Sequence, residues 1–218
     1  MQVREQLVDF HPPSSPPPAV VAVAMPTAHR AHKWTRQQYR RLAEEGFIDA
    51  EARVELVEGQ IIEMSPIGAL HFGFQLHILD WMYARFDLKK YQCVGQSSLG
   101  LGEYNEPQPD AYLVPRRADS YTVAIPTEED AILVIEVADS SIDYDLEEKC
   151  LRYARFGIPE YWVIDCLKRQ LHYHEAPGEE GYRRISVLDV GEAFESKLCG
   201  RIDVAALMPA APTPLPPQ

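Results

Sequence analysis

The stretch Ala131-Ile132-Leu133-Val134-Ile135-Glu136-Val137-Ala138 decides the fold. It is apolar at both odd and even positions, apart from Glu136, and half of it is β-branched. A strand with one wet face would alternate; this one reads as a central strand covered on both sides. Covering a sheet on both faces requires helices before and after the strand. His71 to Asp87 supplies one, with Phe74, Ile78, Trp81, Met82 and Phe86 at helical spacing. Leu146, Cys150, Tyr153, Ala154 and Gly157 define another apolar stripe, on a helix whose expected N-cap is Asp143. Further strands are expected at Tyr91 to Gly95 (running on towards Leu101), at Asp110 to Val114 and at Tyr161 to Asp165. Arg53 to Met64 reads as a hairpin around Glu58-Gly59, and Leu171–Glu175 with Tyr182–Leu188 as a second. Thr35 to Glu45 reads as a short helix, with Thr35 as N-cap and Gly46 as stop. The class is α/β (α+β): a mixed central sheet flanked by helices, with extra β-hairpins.

The 218 residues fit one domain with tails. Six of the 18 prolines lie in residues 1–33 and five in 208–218, leaving seven for 34–207. Residues 1–33 and 208–218 are therefore expected to be disordered Pro-rich tails around a domain at 34–207. Met25 is an alternative expected start. The run Ala19 to Met25 is too short to span a bilayer and has no basic n-region, so no membrane segment or secretory signal is expected. Cys93, Cys150, Cys166 and Cys199 show no zinc spacing and read as reduced thiols of a cytoplasmic protein. The net charge is -12, and 34–207 alone holds 31 acidic against 18 basic residues. That argues against a generic basic nucleic-acid binder.

Glu136 is the one charge in a strand that should be buried. Unpaired and ionised it would cost several kcal/mol, roughly, so it must be paired, protonated or metal-bound. Asp110 opens a neighbouring short strand directly after Pro109. Two carboxylates on adjacent strands suit Mg²⁺, which takes oxygen ligands and keeps waters. Lys149 lies about 60° off the leading residue of the apolar stripe. Six residues into a helix returning along the strand, it can stand level with Glu136. Two carboxylates and an amine form a set for phosphodiester hydrolysis. A metal acidifies water and polarises phosphate, while the amine meets developing charge.

At these residues the chain resembles the PD-(D/E)XK nuclease superfamily and, within it, the bacterial "putative restriction endonuclease" family. The matching stretches are Glu55-Leu56-Val57-Glu58-Gly59, Ser65-Pro66 with His71, Pro107-Gln108-Pro109-Asp110 and Val134-Ile135-Glu136-Val137. They continue through Ser140-Ser141, Asp145 and Lys149 to Gly157-Ile158-Pro159-Glu160-Tyr161-Trp162-Val163-Ile164-Asp165. The resemblance covers nearly all of 34–190. It implies a restriction-endonuclease-like core, Asp110 and Glu136 as Mg²⁺ ligands (Mn²⁺ as a substitute), and the Val137 carbonyl as third ligand. It also implies DNA as substrate and a homodimer. The superfamily lysine falls two residues after the second acid, where this chain has Ala138, so Lys149 stands as its relocated substitute. Glu55 and His71 match family positions and join the candidate catalytic set.

Arg116, Arg117 and Arg152 are candidate DNA contacts; the first two follow the Asp110 strand and are expected near the mouth of the site. His172 and His174 share a strand face but have no further zinc ligands in view. No glycine-rich nucleotide loop or serine-nucleophile elbow is present, so no nucleotide cofactor is expected. The non-enzymatic alternative is a nuclease fold that has lost activity and serves as a binding or regulatory module. The separation of Lys149 from Glu136 discriminates the two: within about 6 Å favours the enzyme. A two-carboxylate glycosidase is a weaker alternative that leaves Lys149 without a task.

Overall fold

The computed structural model describes residues 31–49 and 51–211. The chain divides into a unit of Met1–His32 and a unit of Lys33–Gln218, and all that follows concerns the second. Residues 1–30 of the expected N-terminal tail, with the Met25 start, and the end of the C-terminal tail fall outside the described residues.

Six strands form the central sheet, in the order β3(Tyr91–Gly95), β4(Ala111–Pro115), β5(Leu133–Ala138), β6(Glu160–Asp165), β7(Gln170–Glu175), β8(Arg184–Asp189). Only β5 and β6 run parallel; the other neighbours are antiparallel. β5 is buried at all six positions, as its two-sided hydrophobicity requires. Its residues alternate between two cores. Leu133, Ile135 and Val137 face the helix α2(Ala69–Arg85) through Phe74, Ile78 and Met82. Val134 and Ala138 face the opposite helical layer through Cys150, Tyr153 and Ala154. Glu136 has the parity of this second face.

The layer between β5 and β6 departs from the expected single helix capped by Asp143. It consists of α3(Ile142–Tyr144), a π-helical turn Asp145–Lys149 and α4(Cys150–Arg155). The Cys150 N–H bonds back to the Asp145 carbonyl, five residues earlier, and the Tyr161 hydroxyl from β6 donates to that same carbonyl at 2.8 Å. Asp143 lies inside the first turn. Ser141 holds the cap position, yet its hydroxyl donates to the Asp145 carboxylate instead of accepting from the backbone.

Three smaller elements frame the sheet. α1(Arg36–Glu44) starts on a capping box in which Thr35 and Gln38 satisfy each other's backbone N–H groups. β1(Val54–Val57) and β2(Gln60–Glu63) form the first expected hairpin, turning at Glu58 and Gly59 with positive φ. A hairpin of β9(Ala193–Ser196) and β10(Gly200–Asp203), followed by a 3-10 turn Val204–Leu207, was not anticipated from the sequence.

Three boundaries also differ. β3 ends at Gly95; Gly100 and Leu101 make only isolated bridges, because Leu101 pairs locally with Asn105. Tyr182 lies before β8, with its hydroxyl bonded to the Ile158 carbonyl. The fold continues past residue 207: Met208 is 4% exposed in the core, and Arg169 donates to the Pro209 carbonyl at 2.7 Å. Among the described residues no helix is long and apolar enough to cross a membrane. All four cysteines are free. Burial pushes the Cys93 and Cys150 thiols up to about 11 and Cys166 to about 12, which keeps them protonated.

Candidate active site

The register that pairs Ala111 with Ile135 sets Asp110, one residue before β4, beside Glu136. The Asp110 N–H points at Glu136 Oε2 at 3.4 Å, and Asp110 Oδ2 accepts the Val137 N–H at 2.8 Å. Its other oxygen, Oδ1, lies 2.8 Å from His71 Nε2, in the first turn of α2. Gln75, one helical turn on, donates to the Asp110 carbonyl. The aspartate is thus fixed by β5 on one side and by α2 on the other.

Glu136 is 2% exposed. Its Oε1 accepts the Tyr153 hydroxyl at 2.8 Å and lies 3.1 Å from Lys149 Nζ. Lys149 Nζ is also 3.0 Å from Asp145 Oδ1, so the ammonium bridges two buried carboxylates. On a regular helical wheel Lys149 sits at the margin of the buried face. The π turn rotates it fully inward and sets Asp145 beside it at i, i+4. Glu55 approaches from β1, and its Oε1 accepts the Gln108 N–H at 2.6 Å.

Glu55, His71, Asp110, Glu136, Val137 and Lys149 all line one cavity of about 280 Å³. The structure therefore brings together every residue expected in the catalytic and metal-binding set. Arg116 and Arg117 are not there. They follow the last residue of β4 whereas Asp110 precedes its first, a strand length of roughly 20 Å apart. Arg116 donates to the Leu88 carbonyl and Arg117 pairs with Asp119. Their expected place at the mouth of the site is corrected accordingly. Arg152 lies on α4, outside this cavity. His174 is held by the Tyr161 carbonyl at 3.1 Å.

The electrostatics suit a cation. Burial, then nearby Asp110, Asp145 and Glu55, push the Glu136 carboxyl well above its ordinary range, against the lowering effect of Lys149. Burial disfavours the Lys149 charge, but Glu136 and Asp145 outweigh it and raise its pKa. The direction that holds for the pair is a charged Lys149, because it lies between two carboxylates. One ammonium among four acids leaves excess negative charge. For His71, burial lowers the pKa, but the hydrogen bond and charge of Asp110 reverse the sign and leave it raised. Among the described residues no three His, Cys, Asp or Glu side chains are arranged as a ready-made metal site. The available donors are the Asp110 and Glu136 carboxylates and the Val137 carbonyl. These oxygens fit Mg²⁺, which binds through one or two carboxylates and keeps several waters.

Asp145 and Tyr153 were missed as site residues. An acid four residues before Lys149 was a usable signal for Asp145. Tyr153 lay in the apolar stripe and read as core.

A mixed sheet with two carboxylates meeting at its centre and a lysine brought in from the following helix defines a nuclease-like α/β protein. The crystal structure of "a putative nuclease" from Anabaena variabilis has the same fold, with a TM-score of 0.61 at 15% identity, over 79% of this chain and 96% of that one. No curated protein matches the chain. Residues 36–205 match the Uma2 family, described as "Putative restriction endonuclease", and the chain belongs to that family.

Proposed function

We propose that this protein is a Mg²⁺-dependent endonuclease that hydrolyses DNA phosphodiester bonds through a PD-(D/E)XK-type site with a relocated lysine. The observation that carries the reading is the 3.1 Å separation of Lys149 Nζ from Glu136, inside the cavity that Asp110 also lines. It falls on the enzymatic side of the 6 Å criterion, against the inactive-module alternative. Ala138, in the usual lysine position, shares its strand face with Glu136, and Lys149 reaches that face from the helix opposite.

Asp110, Glu136 and the Val137 carbonyl would hold Mg²⁺, which when bound polarises the phosphate and acidifies a water. The chain's own residues do the rest. Lys149, kept charged by Glu136 and Asp145, offers its ammonium to the oxygens that gain charge in the transition state. Tyr153 fixes the Glu136 rotamer through Oε1. His71 and the Val137 N–H fix Asp110, so that its carboxylate loses little freedom on binding a cation. Burial excludes bulk water and strengthens each of these contacts.

Purified protein incubated with plasmid DNA and Mg²⁺ or Mn²⁺ is expected to cleave it, and chelator is expected to stop the reaction. An Asp110→Asn/Glu136→Gln double variant is expected to be inactive and to show no calorimetric Mg²⁺ binding. Equal cleavage by wild type and double variant would overturn the proposal, as would absence of metal binding by the wild type. We also propose a symmetric homodimer, the arrangement that lets two such sites act on two antiparallel strands. Sedimentation showing only monomer at micromolar concentration would remove that part.

A further inference from the structure

Arg152 carries a charge that nothing in the carboxylate site uses. It is 8% exposed, and its Nε and Nη1 find no hydrogen-bond partner among the described residues. Its guanidinium carbon lies 6.0 Å from the centre of the Tyr144 ring, and Lys149 Nζ lies 5.8 Å from the centre of that same ring. A buried guanidinium without an anion is unfavourable in the ligand-free fold. Arg152 lines an open cleft of about 750 Å³ together with Lys33, Gln60, Tyr104 and Arg155. Glu58 and Glu148 also border the cleft, so its three cations outnumber its acids. Tyr144 and Ile62 line both this cleft and the cavity of Asp110 and Glu136, which makes the two spaces neighbours.

We infer that this cleft is a phosphodiester subsite, in which Arg152 binds a backbone phosphate of the DNA strand flanking the phosphate held at Asp110 and Glu136. The inference rests on the nuclease reading above and names where the strand leaves the active site. Three features select a phosphate in a strand. The unpaired donors call for an anion. Tyr144, whose ring lies under both cations, lines the cleft and the carboxylate cavity alike, so a strand running from one to the other passes along it. The cleft opens to solvent, so a polymer can pass through it. Backbone contacts of this kind set position and register without reading sequence.

The test compares wild type with Arg152→Met, which keeps the buried stem and removes the charge. Fluorescence anisotropy of a labelled oligonucleotide is read with Ca²⁺ in place of Mg²⁺, across a salt series. Arg152→Met is expected to bind at least tenfold more weakly, by the same factor for unrelated sequences. Its slope of log K against log salt is expected to be shallower by about 1. The Tm of the ligand-free variant is expected to be equal to or above that of wild type, since an uncompensated buried charge is gone. A second arm needs no variant: oligonucleotides carrying one neutral methylphosphonate linkage are scanned against wild type. One linkage beside the cleaved bond is expected to weaken binding, and Arg152→Met is expected to be blind to it. Unchanged affinity and salt slope in a folded Arg152→Met would overturn the inference. So would a scan in which no flanking linkage matters. Either result leaves the nuclease reading intact if wild type still cleaves. Wild type that neither binds nor cleaves DNA would overturn both.

Discussion

Glu136 receives a hydroxyl, an ammonium and a backbone N–H, from Tyr153, Lys149 and Asp110, and each contact can be removed separately. Lys149→Met leaves Glu136 and Asp145 facing each other without a cation. Breaking a buried pair by deleting one partner typically costs about 3–5 kcal/mol. Denaturant melts in the absence of metal are expected to show a loss of that order, along with lost cleavage. A melt unchanged within error would mean that Lys149 is not holding the two acids together. Tyr153→Phe is milder. It removes one hydrogen bond to a carboxyl and leaves the ring, which packs against Tyr161 at a 4.9 Å centroid distance. A cost of about 1–2 kcal/mol is expected. Cleavage is expected to fall through kcat rather than KM, because Tyr153 orients Glu136, a metal ligand on the proposed function, and would touch no substrate. A change confined to KM would assign Tyr153 to substrate binding instead. The two variants together separate the charge on Glu136 from its orientation.

Two elements carry consequences that the site residues alone do not show. β7 presents His174 to the face where Tyr161 and Tyr182 pack, and burial there lowers its pKa to about 4 from the ordinary 6.5. The folded state therefore resists a proton that the unfolded chain accepts. The stabilising effect is present above pH 6.5 and is lost as pH falls from 6.5 towards 4, amounting to about 2 kcal/mol by pH 5. The denaturant midpoint of wild type is expected to fall relative to that of His174→Phe over that interval; a constant difference would show that His174 protonates equally in both states. The β9–β10 hairpin is fastened through Glu160, whose carboxylate accepts from the Ser196 hydroxyl, the Lys197 N–H and the Trp162 indole. Glu160→Ala is expected to speed amide exchange in that hairpin while Mg²⁺ binding stays unchanged. Both elements also mark how far the sequence could be read. β5 and α2 were legible because two-sided hydrophobicity and helical spacing each admit one structure. Asp110, Glu136 and Lys149 were legible because a carboxylate in an apolar strand demands a partner. The π turn was not, since it depends on the Tyr161 hydroxyl from another strand tying the Asp145 carbonyl. The β9–β10 hairpin was not either: two four-residue strands that bury only Phe194 and Ile202 in the core leave little periodicity to detect.

The whole chain carries a net charge of -12, which repels a polyanion. On the proposed function, DNA would be held by a few local cations and by a metal ion at the carboxylate cluster. That arrangement would reverse the usual effect of divalent ions. For a basic binder, Mg²⁺ competes for phosphates and weakens association, because binding is driven by counterion release. On the proposed function, Mg²⁺ held by Asp110 and Glu136 would offset the excess negative charge there, so it should strengthen association. At constant ionic strength, anisotropy titrations are expected to give tighter DNA binding with Ca²⁺ or Mg²⁺ than with chelator. The Asp110→Asn/Glu136→Gln variant, which still carries nearly the same net charge, is expected to lose that dependence. Screening of long-range repulsion alone would act on both proteins alike, because it follows ionic strength and not the ligands of one site. Weaker binding with Mg²⁺ in wild type would place the DNA away from the carboxylates, and an equal gain in both proteins would reduce the ion's role to screening.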